Sequence, residues 1–176
     1  MRQLRARPLR KFLRQLERPP IDMVFVLQDV EDPVNVGSAF RIADACGVSQ
    51  IVLTGISAHP PHKGIEKTGR GLDRQVRWRY VEQADEAVAE LKTQGYMSYA
   101  LEVTAESVPY DEVIYPNKVC LIVGHEDHGV TKRTLAACDM PIFIPMYGKG
   151  VSLNVHVSLA VAAFHVLHAA SIKTAR

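Results

Sequence analysis

The sequence is poor in the residues that cross-link small secreted domains or hold a structural metal. Three cysteines occur among 176 residues, each in an apolar neighbourhood: Cys46, Cys120 and Cys138. Dispersed cysteines of this kind predict small core side chains rather than a disulfide framework or a zinc site. Histidines are paired at His59 and His62 and at His125 and His128, but no ligand cluster completes either pair at standard spacing. We therefore predict no metal, and the cytoplasm as the compartment.

The sequence signals of several other classes of protein are missing or incomplete. No uninterrupted apolar run reaches the ~18 residues of a membrane span, and the Arg-rich N-terminus lacks the apolar core of a secretory signal. Gly124 and Gly129 have the spacing of a phosphate-binding loop, but Val130 stands where that loop needs lysine. No GxGxxG follows the first predicted strand. Ser152 lacks the G-x-S-x-G setting of a nucleophilic serine. These absences disfavour a membrane partner, nucleotide hydrolysis, dinucleotide binding and serine hydrolysis.

A large excess of one charge is also absent, because the formal net charge is only +2. The distribution is nevertheless uneven, since residues 1–20 carry seven basic residues against one acidic residue. A second basic run, over residues 63–79, is interleaved with Trp78 and followed by Tyr80. Such runs are either solvated surface or sites for a polyanion whose bases can stack on aromatic rings. We favour a nucleic-acid partner, with a basic extension over 1–20 ahead of a single domain over 21–176.

Alternating apolar segments predict an α/β domain with a parallel sheet. Residues 23–27 and 119–123 are continuous apolar runs, as is typical of strands buried on both faces. Further strands are predicted at 50–53, 76–81, 96–103 and 141–144, and helices at 1–20, 35–46, 82–93 and 131–138, with a short helix around 65–72. Strands that alternate with helices in this way favour parallel pairing.

Residues 144–166 combine a strand end, a Gly-rich loop and a long apolar helix. Gly148 and Gly150 would permit a tight turn and a close approach to a ligand. Ser152 and Asn154 are residue types that cap a helix start. A helix apolar nearly all round is predicted to be buried in a core or a subunit interface. The stretch fits a ligand site on a rigid base, and it fits a plain strand–loop–helix connection equally well.

Three segments together resemble the SpoU/TrmH family of RNA ribose 2′-O-methyltransferases, in the SPOUT superfamily. The first is DPVNVGSAFRIADACGV, with Asn35, Gly37 and Arg41. The second is LIVGHEDHGV, residues 121–130, and the third is the stretch 144–154 with its IPM and SLN triplets. Their order and spacing match over about residues 23–168. A single motif would be weak, whereas three in register are specific.

The resemblance implies a fold, a cofactor and an assembly. The fold would be a parallel-sheet α/β knot with a deep C-terminal trefoil knot, an exception to usual chain topology. S-adenosyl-L-methionine would lie bent in that knot. The family works as a homodimer, and the apolar last helix would supply much of the interface. By matched position the cofactor-binding residues would be Leu101, Gly124, Ile144, Met146 and Leu153.

The resemblance also implies the catalytic residues. Arg41 would be the central one, and Asn35, Glu126, Ser152 and Asn154 would order the site, with Asn35 and Glu126 positioning Arg41. Because a guanidinium has a pKa above ~12 it is a poor base, so Arg41 would instead orient an RNA phosphate or stabilise the developing alkoxide.

Two histidines depart from the family pattern. His125 stands where the family usually has a small or polar residue, and His156 stands where a serine is common. Either side chain is placed to touch the cofactor pocket or the dimer partner.

The predicted function is therefore S-adenosylmethionine-dependent methylation of a ribose 2′-hydroxyl in tRNA or rRNA, with no DNA or membrane partner. One alternative is a base methyltransferase of the same fold, which would need a pocket for an extruded base. The other is an RNA-binding protein without catalysis, in which Arg41→Ala would leave the RNA function intact.

Overall fold

The computed structural model describes residues 3–17 and 20–174 of the chain. Its centre is a seven-stranded sheet in the order β3-β2-β1-β6-β4-β7-β5. Every pair of neighbouring strands is parallel, which confirms the predicted fold class. The strands are β1 (Asp22–Gln28), β2 (Gln50–Thr54), β3 (Trp78–Val81), β4 (Met97–Leu101), β5 (Val108–Pro109), β6 (Lys118–Val123) and β7 (Met140–Phe143). The trefoil knot stays a prediction.

The helices are α1 (Ala6–Leu13), α2 (Pro33–Cys46), α3 (Lys63–Gly69), α4 (Ala84–Thr93), α5 (Lys132–Ala137) and α6 (Val155–Thr174), with a 3₁₀ turn at Leu72–Arg74. Most predicted elements agree to within a few residues. The N-terminal helix, predicted over 1–20, is shorter than expected, and Pro19 lies outside the described residues. Strand β5 was not among the predicted strands, because a two-residue strand shows no periodicity and exists only through its pairing with β7.

The two central strands are buried on both faces, as their continuous apolar runs predict. Along β1, Met23, Phe25 and Leu27 pack with α2 and α6, whereas Val24 and Val26 point to the opposite layer with α4. Cys46 and Cys120 are buried and Cys138 is half-buried, and all three are free thiols. The prediction that the cysteines are core residues is thus confirmed for the first two.

Helix α2 begins through local chemistry and packs closely against α3. Asp32 caps it by accepting a hydrogen bond from the Val34 N–H at 2.8 Å, and Pro33 occupies the first turn. Gly37 lies where α2 meets α3, and a Cβ there would be 2.9 Å from both the Ile65 carbonyl oxygen and the Thr68 Cβ. The glycine of the first motif therefore permits close helix packing.

Helix α6 is only partly covered. One side packs into the core through four fully buried residues, Leu159, Ala162, Ala163 and Val166. The other side exposes Val157, Phe164 and Ile172. The length and apolar composition of Val155–Ile172 would by themselves also permit a membrane span. Because α6 packs against α2 and β6, we interpret it as a core helix with one uncovered face.

Candidate active site

A cleft of about 460 Å³ opens beyond the carboxyl ends of β4, β6 and β7. Ligand sites of open parallel sheets commonly lie at this edge. The structure brings all five predicted cofactor-binding residues to its lining, although they come from three separate segments: Leu101, Gly124, Ile144, Met146 and Leu153. Their contact with a cofactor stays a prediction.

One wall of the cleft is the tight turn 124–129. His125 and Gly129 exchange backbone hydrogen bonds of 3.1 and 2.9 Å. Gly124 admits no side chain, because a Cβ there would lie 2.1–2.4 Å from backbone atoms of Gly129 and Val130. Glu102 anchors the turn, since its Oε2 accepts from the Val130 N–H at 2.8 Å. Sequence reasoning missed Glu102, and the available signal was an acid directly after a strand that ends at this edge.

The Glu126 carboxylate ties this turn to the start of α2. It accepts hydrogen bonds from the Glu31 N–H at 3.3 Å, the Asp32 N–H at 3.2 Å and the Asn35 side-chain amide at 2.7 Å. Partial burial acts to raise the pKa of Glu126, but the hydrogen bonds outweigh it and the net pKa is lowered. Glu126 is therefore ionised at neutral pH and accepts all three bonds as a carboxylate.

Asn35 extends this connection to α6. It is buried, and its Oδ1 lies 2.8 Å from Nδ1 of His156. Burial lowers the pKa of His156, with the Asp32 carboxylate acting weakly in the opposite direction. One hydrogen-bonded line, Glu126–Asn35–His156, thus joins the turn after β6, the start of α2 and the first turn of α6.

Asn154 and Ser152 lie at the entry to α6. The Asn154 Oδ1 accepts from the His156 N–H at 3.0 Å, which confirms the predicted cap. Ser152 lines the cleft, as does Glu126. Four of the five predicted catalytic residues are therefore near one another: Asn35, Glu126, Ser152 and Asn154.

Arg41 does not join them. Its side chain is exposed on α2 and enters none of the hydrogen bonds or ion pairs found among the described residues. Positions 35 and 41 are six residues apart, which places their side chains about 120° apart around a helix. Asn35 and Glu126 bond to each other, and among the described residues neither forms a hydrogen bond or ion pair with Arg41. A catalytic role for Arg41 stays a prediction.

The two histidines of the turn stack at the cleft, with ring centroids 4.6 Å apart. The His125 Nδ1 accepts from the Asp127 N–H at 3.0 Å, so its Nε2 donates to Glu31 at 3.2 Å. Over residues 3–17 and 20–174, no group of three or more potential metal ligands occurs. The expectation of a metal-free site stays a prediction.

The opposite wall of the cleft, residues 145–153, is largely exposed to solvent. Tyr147 and Val151 are 96% and 85% exposed. Gly148 and Gly150 have no left-handed φ, and a Cβ at either would meet nothing within 4 Å. The predicted need for glycine at these two positions therefore has no explanation in the chain's own contacts.

The profile of the SpoU rRNA Methylase family matches residues 22–164. The chain belongs to this family. It is 30% identical over 149 residues to the tRNA (guanosine(18)-2′-O)-methyltransferase of Escherichia coli K12, covering 85% of this chain and 64% of the relative. The described chain therefore spans somewhat under two thirds of that relative's length.

Solved structures of similar fold agree with this assignment. The Aquifex aeolicus TrmH/SpoU tRNA modifying enzyme superposes with a TM-score of 0.80 at 28% identity, covering 94% of this chain and 86% of that one. The S-adenosylmethionine-bound rRNA methyltransferase from Sinorhizobium meliloti superposes with a TM-score of 0.74 at 23% identity, covering 88% of this chain and 59% of that one. The second likeness, at its low identity, concerns the fold alone.

Proposed function

We propose that this protein transfers a methyl group from S-adenosyl-L-methionine to a ribose 2′-hydroxyl of tRNA or rRNA. One observation carries the proposal. Residues of the second and third motifs line a single cleft at the carboxyl edge of the sheet, and Asn35 of the first motif is tied to that cleft through its hydrogen bond to Glu126. The chain belongs to a family whose relatives include an enzyme named for guanosine 2′-O-methylation.

The cleft suits S-adenosylmethionine in size and chemistry. Its volume of about 460 Å³ is within the usual range for small-molecule sites. Apolar side chains such as Leu101, Ile144 and Leu153 offer surfaces for a flat adenine. The missing side chain at Gly124 lets the turn 124–129 close on itself at the wall of the cleft. When bound there, the cofactor supplies a methyl group already activated on a sulfonium.

The chain must then hold the ribose hydroxyl in line and help it lose its proton. Ser152 at the cleft supplies a hydroxyl for orienting the sugar. Arg41, exposed and permanently charged, is suited to an RNA phosphate or to the oxygen that gains negative charge. Glu126 and Asn35 hold the site's elements together through their hydrogen bonds.

Two basic surfaces are proposed to bind the RNA. Residues 1–20 would act as an extension beside the domain 21–176. Within it, α1 presents exposed Arg7, Arg10 and Lys11, and exposed Arg14 follows directly after the helix. The second surface lies at the edge strand β3, where the His59 ring stacks on Trp78 with centroids 6.4 Å apart and lies 5.8 Å from Tyr80. Rings beside the basic run 63–79 suit an unpaired base.

The proposal extends to assembly and compartment. A homodimer would cover the uncovered face of α6, where Val157, Phe164 and Ile172 are exposed. Exposed apolar patches of this kind commonly mark interfaces. RNA modification and three free cysteines are both consistent with the cytoplasm.

A methyl-transfer assay tests the function. The protein is incubated with labelled S-adenosylmethionine and total RNA, tRNA and rRNA are separated, and each is digested to nucleosides. We expect label in a 2′-O-methylnucleoside of one RNA class. Label in a base would instead establish the base-methylating alternative. Absence of both cofactor binding and label would favour an RNA-binding protein without catalysis.

A further inference from the structure

Methylation of a ribose hydroxyl needs a group that takes the hydroxyl proton, and most candidates near the cleft are unsuited. Arg41 cannot, because a guanidinium stays protonated. The Glu126 carboxylate already accepts three hydrogen bonds, and its lowered pKa makes it a weak base. Both carboxylate oxygens of Glu102 are engaged, by the Val103 N–H at 3.0 Å and the Val130 N–H at 2.8 Å.

The histidines of the turn are no better placed. His125 has no free lone pair, since Nδ1 accepts from the Asp127 N–H and Nε2 donates to Glu31. His128 is exposed and stacks on His125, and no hydrogen bond within the described chain selects its tautomer. A base must be held in one orientation and one tautomer to act efficiently.

His156 meets this requirement through its partners. An ionised carboxylate only accepts, so the amide nitrogen of Asn35 faces Glu126 and its oxygen faces His156. An amide oxygen also only accepts, so Nδ1 of His156 must carry the hydrogen. In the neutral ring the lone pair then lies on Nε2. None of the hydrogen bonds of the described residues engages Nε2. The His156 ring is not itself part of the cleft lining, but it follows Val155, which is, and it bonds to Asn35, the partner of the lining residue Glu126.

We propose that Nε2 of His156 accepts the proton of the ribose 2′-hydroxyl during methyl transfer, while Asn35 and Glu126 hold the imidazole in the required tautomer. The hydroxyl oxygen forms the new bond to the methyl carbon as the sulfur–methyl bond breaks. The electron pair of that bond stays on sulfur, which becomes a neutral thioether, and the proton passes from Nε2 to water. This inference rests on the 2′-O-methylation proposed above.

The charges around His156 set the expected pH dependence. Asp32 faces it from the start of α2, and Glu126 lies beyond Asn35 at the turn after β6. Burial lowers the pKa of His156 despite Asp32, so the ring is neutral at pH 7 and above. The rate of methyl transfer should therefore be at its maximum at neutral pH, and it should fall as the pH drops through this lowered pKa.

The test is His156→Asn, because the asparagine amide nitrogen occupies the place of Nδ1 and keeps the donor to Asn35 while Nε2 is lost. We expect unchanged S-adenosylmethionine affinity by calorimetry and a loss of about 100-fold in single-turnover methyl transfer. The acidic limb of the pH–rate profile should also disappear. The matched control is His62→Asn, an exposed histidine outside α6 whose side chain only caps α3, which should keep both the rate and the limb.

Activity of His156→Asn within about threefold of wild type, with the acidic limb retained, would overturn the assignment. A second measurement does not depend on the variant's folding. Nitrogen-15 NMR of the wild-type histidines at pH 7.5 should find His156 neutral with hydrogen on Nδ1, and hydrogen on Nε2 would equally overturn it. If wild-type protein methylates no ribose, the proposed function itself fails, which is a separate outcome.

Discussion

The two walls of the cleft differ in how the chain holds them. The turn 124–129 is held by its own backbone pair, by Glu102 and by the three hydrogen bonds that Glu126 accepts. The segment 145–153 enters no hydrogen bond among those found for residues 3–17 and 20–174, and its residues 146–153 are exposed. The first wall is therefore preformed, whereas the second has little within the chain to order it.

This difference indicates separate roles for the two walls of the cleft. Preorganised groups act on the reacting atoms without a further cost in free energy for ordering them during the reaction. The turn and the Glu126–Asn35–His156 line are of this kind. An exposed segment has few internal contacts to lose, so a ligand can order it on binding. We therefore expect substitutions in the turn to affect the fold, and substitutions in 145–153 to affect ligand binding only.

The largest expected effect comes from Gly124→Ala. The added Cβ would lie within 2.4 Å of the Gly129 and Val130 backbone, so the turn must open. We expect a loss of about 3 kcal/mol in the free energy of unfolding, measured by urea denaturation, together with lost S-adenosylmethionine binding. The matched control is Gly148→Ala, where nothing lies within 4 Å of the new Cβ, and stability should change by less than about 0.5 kcal/mol. Equal effects at the two positions would remove the contrast between the walls.

Hydrogen exchange should detect the ordering of the open wall. On addition of saturating S-adenosylmethionine, amides of residues 146–153 should exchange about tenfold more slowly, a change of about 1.4 kcal/mol in local opening. The amides of His125, Asp127, Gly129 and Val130 in the turn should change less, because they already donate hydrogen bonds. Adenosine alone serves as the comparison ligand. Protection confined to the turn would show that the open wall takes no part in binding.

Glu126→Gln should have the smallest effect and the clearest pH dependence. The folded-state pKa of Glu126 is lowered. Its contribution to the free energy of unfolding is therefore present above the unfolded-state pKa and is lost as the pH falls through the folded-state pKa. Because the side chain is largely exposed, we expect only about 1 kcal/mol at pH 7.

Urea unfolding of wild type and Glu126→Gln between pH 3 and 7 measures this difference. The two stabilities should converge as the pH falls. Glu112→Gln, at an exposed loop position, should run parallel to wild type. A constant gap between wild type and Glu126→Gln across this range would mean that the carboxylate charge has no part in holding the turn.

Features that depend on neighbouring residues in the sequence were predicted, whereas contacts between residues far apart in the chain were not. Strands β1 and β6 and helix α2 were predicted because continuous apolar runs and the 3.6-residue period of apolar residues are local signals. The pairing of Asn35 with His156 joins residues 121 positions apart, and no local signal carries it. The same limit explains why Glu102 was missed as an anchor of the turn.

The sequence by itself determined the parallel α/β class, the boundaries of most elements, the family and five residues that line the cleft. Alternating apolar segments and the motif spacing carry this information directly along the chain. Only the tertiary structure decided which wall of the cleft is held by hydrogen bonds. It also decided that Gly37 permits close helix packing and that the Asn35 amide joins Glu126 to His156. The physical reason is that hydrogen-bond direction, and with it the tautomer of His156, depends on the mutual positions of three segments that meet only after the sheet has formed.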